Sequence, residues 1–248
     1  NSRLRRGVDQ NKDQTYFLCQ MAEAALCHTL FPIGELPKPQ VRDIADQLHL
    51  DSVSKKKDST GICFIGERNF RAFLHNYLPA QDGDIINIAD GRKVGTHCGV
   101  LYYTIGQRKG LGIGGDMGPW FVIGKDVDHN ILYVCNQDER EWLYSDSCIV
   151  HQVNWFPPQR PQGEMKCTAK FRYRQKDNDV CIRFMDAQTV FVRYPQTVAS
   201  VTCGQEAVFY DGEECLGGGV IEKVYRDGED LNARIMRTAQ TFAREQRG

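Results

Sequence analysis

The chain has 248 residues, of which 41% are hydrophobic and 25% charged, and its formal net charge is −1. These values are typical of a globular protein that forms one large domain or two to three small ones. The near-zero net charge excludes nucleic-acid binding through a global field, so any such binding must come from local basic patches. No apolar run is long enough to span a membrane, and the first residues lack the apolar core of a signal peptide.

Ten cysteines are scattered along the chain, without a Cys-x-x-C pair and without paired Cys/His ligand spacing. This distribution indicates a reducing, cytoplasmic environment in which most thiols act as small core residues. The adjacent pair His97-Cys98 is too small a ligand set for a four-ligand zinc site, so we predict no metal there.

Residues 1–80 are predicted to be mainly helical. The stretch 14–30 contains good helix formers without Gly or Pro and predicts one helix. A second helix begins near Pro39, which suits a first helical turn. Its apolar stripe consists of Val41, Ile44, Ala45 and Leu48. A third helix is predicted over 67–78, and we expect these helices to expose apolar faces because no sheet in this stretch covers them.

After Pro79 the sequence changes to short β-branched and aromatic runs separated by glycine turns. Asp90-Gly91 predicts a hairpin, and two strands are predicted on either side of a turn at 128–130. The glycine-rich stretch 104–115 lacks the Lys-Ser/Thr of a phosphate-binding loop and predicts a further hairpin.

The second half of the chain is predicted to be a small closed β-barrel. Residues 155–163 form a linker-like break, after which short strands alternate regularly with turns. The stretch LGGG at 216–219 predicts a bulge or a tight barrel corner. A last helix is predicted over 231–245, within a charged tail.

Cys63 lies in the stretch KKKDSTGICFIG, after three lysines and Gly61. Cations and backbone amides stabilise a thiolate, so this setting suits a reactive cysteine. An equally weighted interpretation is that residues 62–65 form a short buried strand in which Cys63 only packs.

Two further segments carry polar side chains with two interpretations each. Lys12, Asp13 and Gln14 suit contacts to a base edge, but they also suit a helix N-terminus in which the carboxylate caps the backbone. Arg172 and Tyr173 suit phosphates and unstacked bases, but a solvated edge strand over 170–176 would carry the same residues.

Taken in chain order, six motifs resemble those of the bacterial tRNA-specific 2-thiouridylases. They are NKDQTYFL, FPIGELPKPQVR, KKKDSTGICFIGERNF, GTHCGVLYYTIGQRKGLGIGG, RYRQ and GQEAVFYDGEECLGGGVIE. The resemblance implies an α+β fold with a helical remnant of an α/β ATP-pyrophosphatase domain, a small central domain and a C-terminal antiparallel β-barrel. The implied boundaries are 1–70, 71–146 and 147–222, followed by a charged tail at 223–248.

The resemblance also implies a reaction. In this family ATP, with Mg, adenylates O2 of the wobble uridine of tRNA, and a cysteine persulfide then delivers sulfur to C2. Cys63 is the implied catalytic residue and carries the persulfide. The residues implied in substrate binding are Lys12, Asp13, Gln14, Arg172, Tyr173 and Gln205. The implied partners are tRNA and either a persulfide-donating sulfur-relay protein or a cysteine desulfurase, with no membrane.

The sequence departs from the family pattern in two places. The Ser-Gly-Gly-x-Asp-Ser nucleotide-binding loop is absent, and so is the family's upstream cysteine, which Cys19 and Cys27 do not replace. We therefore expect an incomplete enzyme that does not thiolate tRNA by itself. The alternative is a non-catalytic tRNA-binding module derived from the family, but the presence of Cys63 and of Lys12, Asp13 and Gln14 favours the enzyme.

Overall fold

The computed structural model describes residues 3–55, 77, 81–115 and 118–245. They fall into two compact units, one drawing on 1–58, 147–196 and 202–223 and the other on 59–146, 197–201 and 224–248. The described backbone contains mostly strands and few helices, which confirms the α+β class. No helix in these ranges has the length and apolar character needed to cross a bilayer.

The described elements are as follows. The strands are β1 (Leu4–Arg5), β2 (Gly83–Asn87), β3 (Lys93–His97), β4 (Phe121–Asp126), β5 (Ile131–Cys135), β6 (Tyr144–Trp155), β7 (Glu164–Lys170), β8 (Asn178–Phe184), β9 (Val190–Ala199), β10 (Glu206–Asp211), β11 (Glu214–Arg226) and β12 (Glu229–Asp230). The α-helices are α1 (Thr15–Leu18), α2 (Glu23–Leu26), α3 (Lys38–Gln47), α4 (Asp51–Ser54) and α5 (Leu231–Glu245).

A closed antiparallel barrel of six strands forms the larger sheet, as predicted. Its strand order is β11-β10-β7-β8-β9-β6, and a pairing of β6 with β11 closes it. The short strand β1 adds to β11, with Leu4 opposite Cys215. The break predicted at 155–163 is confirmed, since β6 ends at Trp155 and β7 begins at Glu164.

The bulge predicted at 216–219 is confirmed in β11. Phe209 and Tyr210 of β10 are opposite Gly217 and Cys215, so one residue of β11 is left over in the register. Gly217 has a φ of +120°, and a Cβ atom there would collide with the carbonyl oxygen of Asn154. Only glycine therefore fits this close approach of two backbones.

The prediction of one helix over 14–30 is wrong, because the chain forms α1 and α2 with a break between them. The side-chain amide of Asn154 donates to the carbonyl oxygens of Cys19 and Met21, at 2.9 Å each. Ala22 has an extended backbone, with φ −65° and ψ 143°. A tertiary partner thus takes carbonyl groups that a continuous helix would use internally.

The second predicted helix is confirmed as α3, which has Pro39 in its first turn. Of its apolar stripe only Ala45 is buried, while Ile44 and Leu48 are 41% and 63% exposed. The described apolar surface of this region is therefore incompletely covered, as expected. The helix predicted over 67–78 lies outside the described residues, apart from Tyr77.

The second unit contains a four-stranded sheet of order β3-β2-β5-β4. β2 and β3 form the hairpin predicted at Asp90-Gly91, and β4 and β5 flank the predicted turn at 128–130. The helix predicted over 231–245 is confirmed as α5, in which Ile235 is buried.

Within 104–115 no strand forms, so the hairpin predicted there is wrong. The glycines of this stretch with positive φ values do not suit strand pairing.

The nine described cysteines are free thiols. Cys19, Cys135, Cys148 and Cys215 are buried, so core packing accounts for fewer thiols than expected. Burial raises the pKa of the Cys148 thiol to about 12, which leaves it protonated and unreactive at neutral pH.

Candidate nucleic-acid interface

Asp13 organises the turn that precedes α1. Its side chain is buried, and one carboxylate oxygen accepts hydrogen bonds from the backbone N–H groups of Gly7 and Thr15, both at 3.2 Å. The other oxygen accepts from the Thr15 hydroxyl at 2.8 Å. These bonds hold the backbone of the neighbouring Lys12 and Gln14, whose side chains are exposed.

Arg172 and Tyr173 lie on a turn that follows β7, so the edge strand considered over 170–176 does not form beyond Lys170. The backbone N–H of Phe171 donates to the Gln175 side chain at 3.0 Å, and the Gln175 N–H donates to the Arg172 carbonyl at 3.1 Å. The side chain of Phe171 is buried against Tyr194. This local closure turns the chain out of the sheet and leaves the next side chains partly exposed.

The structure brings the segment before α1 and this barrel turn into direct contact. The Gln14 amide Nε2 donates to the Tyr173 hydroxyl at 2.7 Å, across 159 positions of sequence. The Tyr173 ring lies 4.5 Å from Phe17 and 6.2 Å from Tyr16, measured between centroids. Tyr16 in turn donates from its hydroxyl to the Glu206 carbonyl at 3.0 Å.

A second barrel turn, which precedes β10, joins the same arrangement. Arg172 donates from Nη2 to the Thr202 hydroxyl at 3.1 Å. The backbone N–H of Gln205 donates to the Thr202 carbonyl at 3.2 Å, so these residues share one turn. Burial lowers the pKa of the Arg172 guanidinium, although a guanidinium remains charged at neutral pH.

Four of the residues that the resemblance implies in substrate binding are therefore linked by contacts: Gln14, Arg172, Tyr173 and Gln205. Lys12 and Asp13 belong to the same turn as Gln14. Cys63, the implied catalytic residue, lies outside the described residues. The arrangement combines cations, an amide and aromatic rings, which are the groups that bind single-stranded nucleic acid.

Sequence reasoning missed the bidentate ion pair that fastens the N-terminal segment to the barrel. The Arg6 guanidinium binds both carboxylate oxygens of Asp177, at 3.1 and 2.5 Å, and lies 3.7 Å from the centroid of the Tyr210 ring. Burial raises the pKa of Tyr210, whose hydroxyl lies 3.2 Å from that of Thr15. No spacing rule could have found a pair that is 171 positions apart.

No part of the described chain offers a group of three or more His, Cys, Asp or Glu side chains that could hold a metal. The glycine-rich stretch 104–115 leads towards strand β4, whereas phosphate-binding loops lead into a helix. The described residues therefore do not fit an ATP and magnesium site.

Three family models match the chain in succession. The tRNA methyl transferase HUP domain matches residues 1–67, the tRNA methyl transferase PRC-barrel domain matches 71–136 and the aminomethyltransferase beta-barrel domain matches 145–221. A protein from Bacillus cytotoxicus named tRNA-specific 2-thiouridylase MnmA is 53% identical over 230 residues, which is 93% of this chain. Proteins of the same name from Bacillus thuringiensis (strain Al Hakam) and Bacillus cereus (strain Q1) are 52% identical over the same length.

The chain belongs to the tRNA-specific 2-thiouridylase family. The resemblance found in the six motifs is thereby confirmed. The chain spans 62% of the length of these relatives.

Proposed function

We propose that this chain supplies the tRNA-binding surface and the sulfur-carrying cysteine of a tRNA 2-thiouridylase. The observation that carries the proposal is the contact between Gln14 and Tyr173. It joins two segments that the family resemblance implies in tRNA binding, one from the HUP-type region and one from the barrel. Lys12 and Arg172, which adjoin these segments in the chain, add cations for phosphates.

The proposed roles follow from the surroundings of each side chain. Lys12, Gln14, Arg172, Tyr173 and Gln205 contact the tRNA. Asp13 instead positions this surface, since both of its carboxylate oxygens already accept internal hydrogen bonds. Cys63 accepts the outer sulfur of a donor persulfide, so the donor regains a thiol and Cys63 becomes the persulfide.

The proposal includes a division of the chain into domains at 1–70, 71–146, 147–222 and 223–248. It also includes a cytoplasmic location and a sulfur donor that is a sulfur-relay protein or a cysteine desulfurase.

Adenylation of the uridine by ATP is not assigned to this chain, because its described residues do not fit the nucleotide. We expect the purified chain, given ATP, persulfide donor and unmodified tRNA, to form no 2-thiouridine.

Persulfide loading tests the proposal without requiring ATP. The chain is incubated with a cysteine desulfurase and cysteine, and each cysteine peptide is examined for the added mass of one sulfur atom. We expect the label on Cys63 and its loss in Cys63→Ser, while the exposed Cys27 and Cys203 serve as internal controls. Specific tRNA binding without any persulfide on Cys63 would favour the non-catalytic module.

A further inference from the structure

Phe17 is a large apolar side chain that remains 58% exposed beside the candidate interface. It follows the buried Tyr16 in α1, and the two rings meet edge to face at 5.4 Å. On its other side, the Phe17 ring lies 4.5 Å from the Tyr173 ring, with an angle of 44° between the ring planes. Two rings thus hold an exposed third ring in place.

Tyr173 is less available than Phe17 to an incoming base. It is half-buried and packs against a core cluster that includes Leu4, Tyr16 and Tyr210. Its hydroxyl also accepts the hydrogen bond from Gln14. The geometry therefore gives Tyr173 a supporting position and leaves Phe17 as the ring that faces solvent.

We infer that Phe17 is the ring on which an unstacked base of the tRNA lies, and that Tyr173 supports it. This inference rests on the proposed function. Every base has a flat π-face, so an exposed ring binds bases with little dependence on sequence. The side chains near Phe17 favour a nucleotide as its ligand over an apolar protein surface. Gln14 donates to Tyr173, and Arg172 precedes Tyr173 in the chain. These two residues supply an amide and a cation for the same nucleotide strand.

Binding of the full chain to an anticodon stem-loop with an unmodified wobble uridine tests this inference. We expect Phe17→Ala to weaken binding by about 5- to 150-fold, which corresponds to the loss of one base–aromatic stack. Phe17→Trp retains the affinity. The matched control is Leu30→Ala, which removes another exposed apolar side chain, 89% accessible, from the same region and leaves binding unchanged. The salt dependence stays as in the wild type, because stacking releases no counterions.

Removal of single bases from the RNA identifies the nucleotide that stacks on Phe17. Single abasic nucleotides are placed through the loop, and one of them should weaken wild-type binding yet cause no further loss with Phe17→Ala. Melting curves of all variants verify that they are folded. Unchanged affinity in folded Phe17→Ala would overturn the inference alone, whereas failure of the wild-type chain to bind the stem-loop would overturn the proposed function together with it. An equal loss in Leu30→Ala would also overturn the inference, since it would indicate a general effect of the apolar surface.

Discussion

At the scale of single residues, the fold depends on Gly217, a position at which no side chain fits. Gly217 combines a φ of +120° with a backbone neighbour, the carbonyl of Asn154, at the place where a Cβ would point. The same Asn154 uses its amide to bind the carbonyls between α1 and α2. A shift at Gly217 would therefore disturb the segment that leads to the candidate interface.

We expect Gly217→Ala to lower the free energy of unfolding by about 2–4 kcal/mol, through backbone strain together with the collision. The matched control is Gly212→Ala, which also has a positive φ, +55°, but has no atom within 4 Å of the added Cβ. It should cost only about 1–2 kcal/mol. Urea unfolding of the wild type, Gly217→Ala and Gly212→Ala measures both losses of unfolding free energy. Equal losses in the two variants would show that the close approach to Asn154 is absent.

At the scale of elements, the N-terminal segment is held on the barrel by a compact polar cluster. Arg6, with a side chain only 10% exposed, binds Asp177 and stacks on Tyr210. Lys170 lies 3.8 Å from the same carboxylate, and the Thr168 hydroxyl donates to it at 3.0 Å. The pair combines bidentate geometry with a guanidinium that is largely buried, so we expect it to contribute more than a pair in which the arginine is exposed.

Removal of either partner should weaken the attachment of the segment to the barrel, which the pairing of β1 with β11 also maintains. We expect Arg6→Ala to destabilise the chain by about 2–3 kcal/mol, with a coupling of about 1–2 kcal/mol between Arg6 and Asp177 in a double-mutant cycle. The control is Arg3→Ala, whose side chain is 73% exposed in its pair with Glu214 and should cost less than about 0.5 kcal/mol. Equal losses of stability in Arg6→Ala and Arg3→Ala would contradict the proposed contribution of the Arg6–Asp177 pair.

The sequence predicted those elements whose determinants are local. The Asp90-Gly91 hairpin, the start of α3 at Pro39 and the extent of α5 follow from turn chemistry, a restricted φ and helical periodicity. Three predictions failed. The helix predicted over 14–30 failed because a distant partner, Asn154, binds carbonyl groups within that stretch. The edge strand considered over 170–176 failed because the nearby Gln175 closes a local turn, and the hairpin over 104–115 failed because its glycines adopt positive φ values.

The candidate site was predictable only in part, because contacts between distant segments form it. Lys12, Gln14, Arg172 and Tyr173 were identified by their residue types and by the family motifs. Their mutual contacts, and the exposed ring of Phe17, depend on packing between segments 159 positions apart, which no local pattern specifies.

At the scale of the whole molecule, the central claim is that the turn before α1 and the turns of the barrel form one surface for tRNA. The net charge of −1 excludes a general attraction to RNA, so the affinity must depend on a few cations within this surface. The described residues of this surface all belong to one compact unit of the chain.

The affinity of the chain for unmodified tRNA, measured as a function of salt concentration, tests this claim most directly. The comparison includes the wild type, Arg172→Ala and the control Arg193→Ala, which removes a cation that pairs with Glu164 elsewhere on the barrel. We predict weaker binding by Arg172→Ala and a log–log salt slope that is shallower by about 0.7–1, as for the loss of one phosphate contact, with no change in Arg193→Ala. Unchanged affinity and slope in an Arg172→Ala protein that melts like the wild type would contradict the assignment of this surface to tRNA.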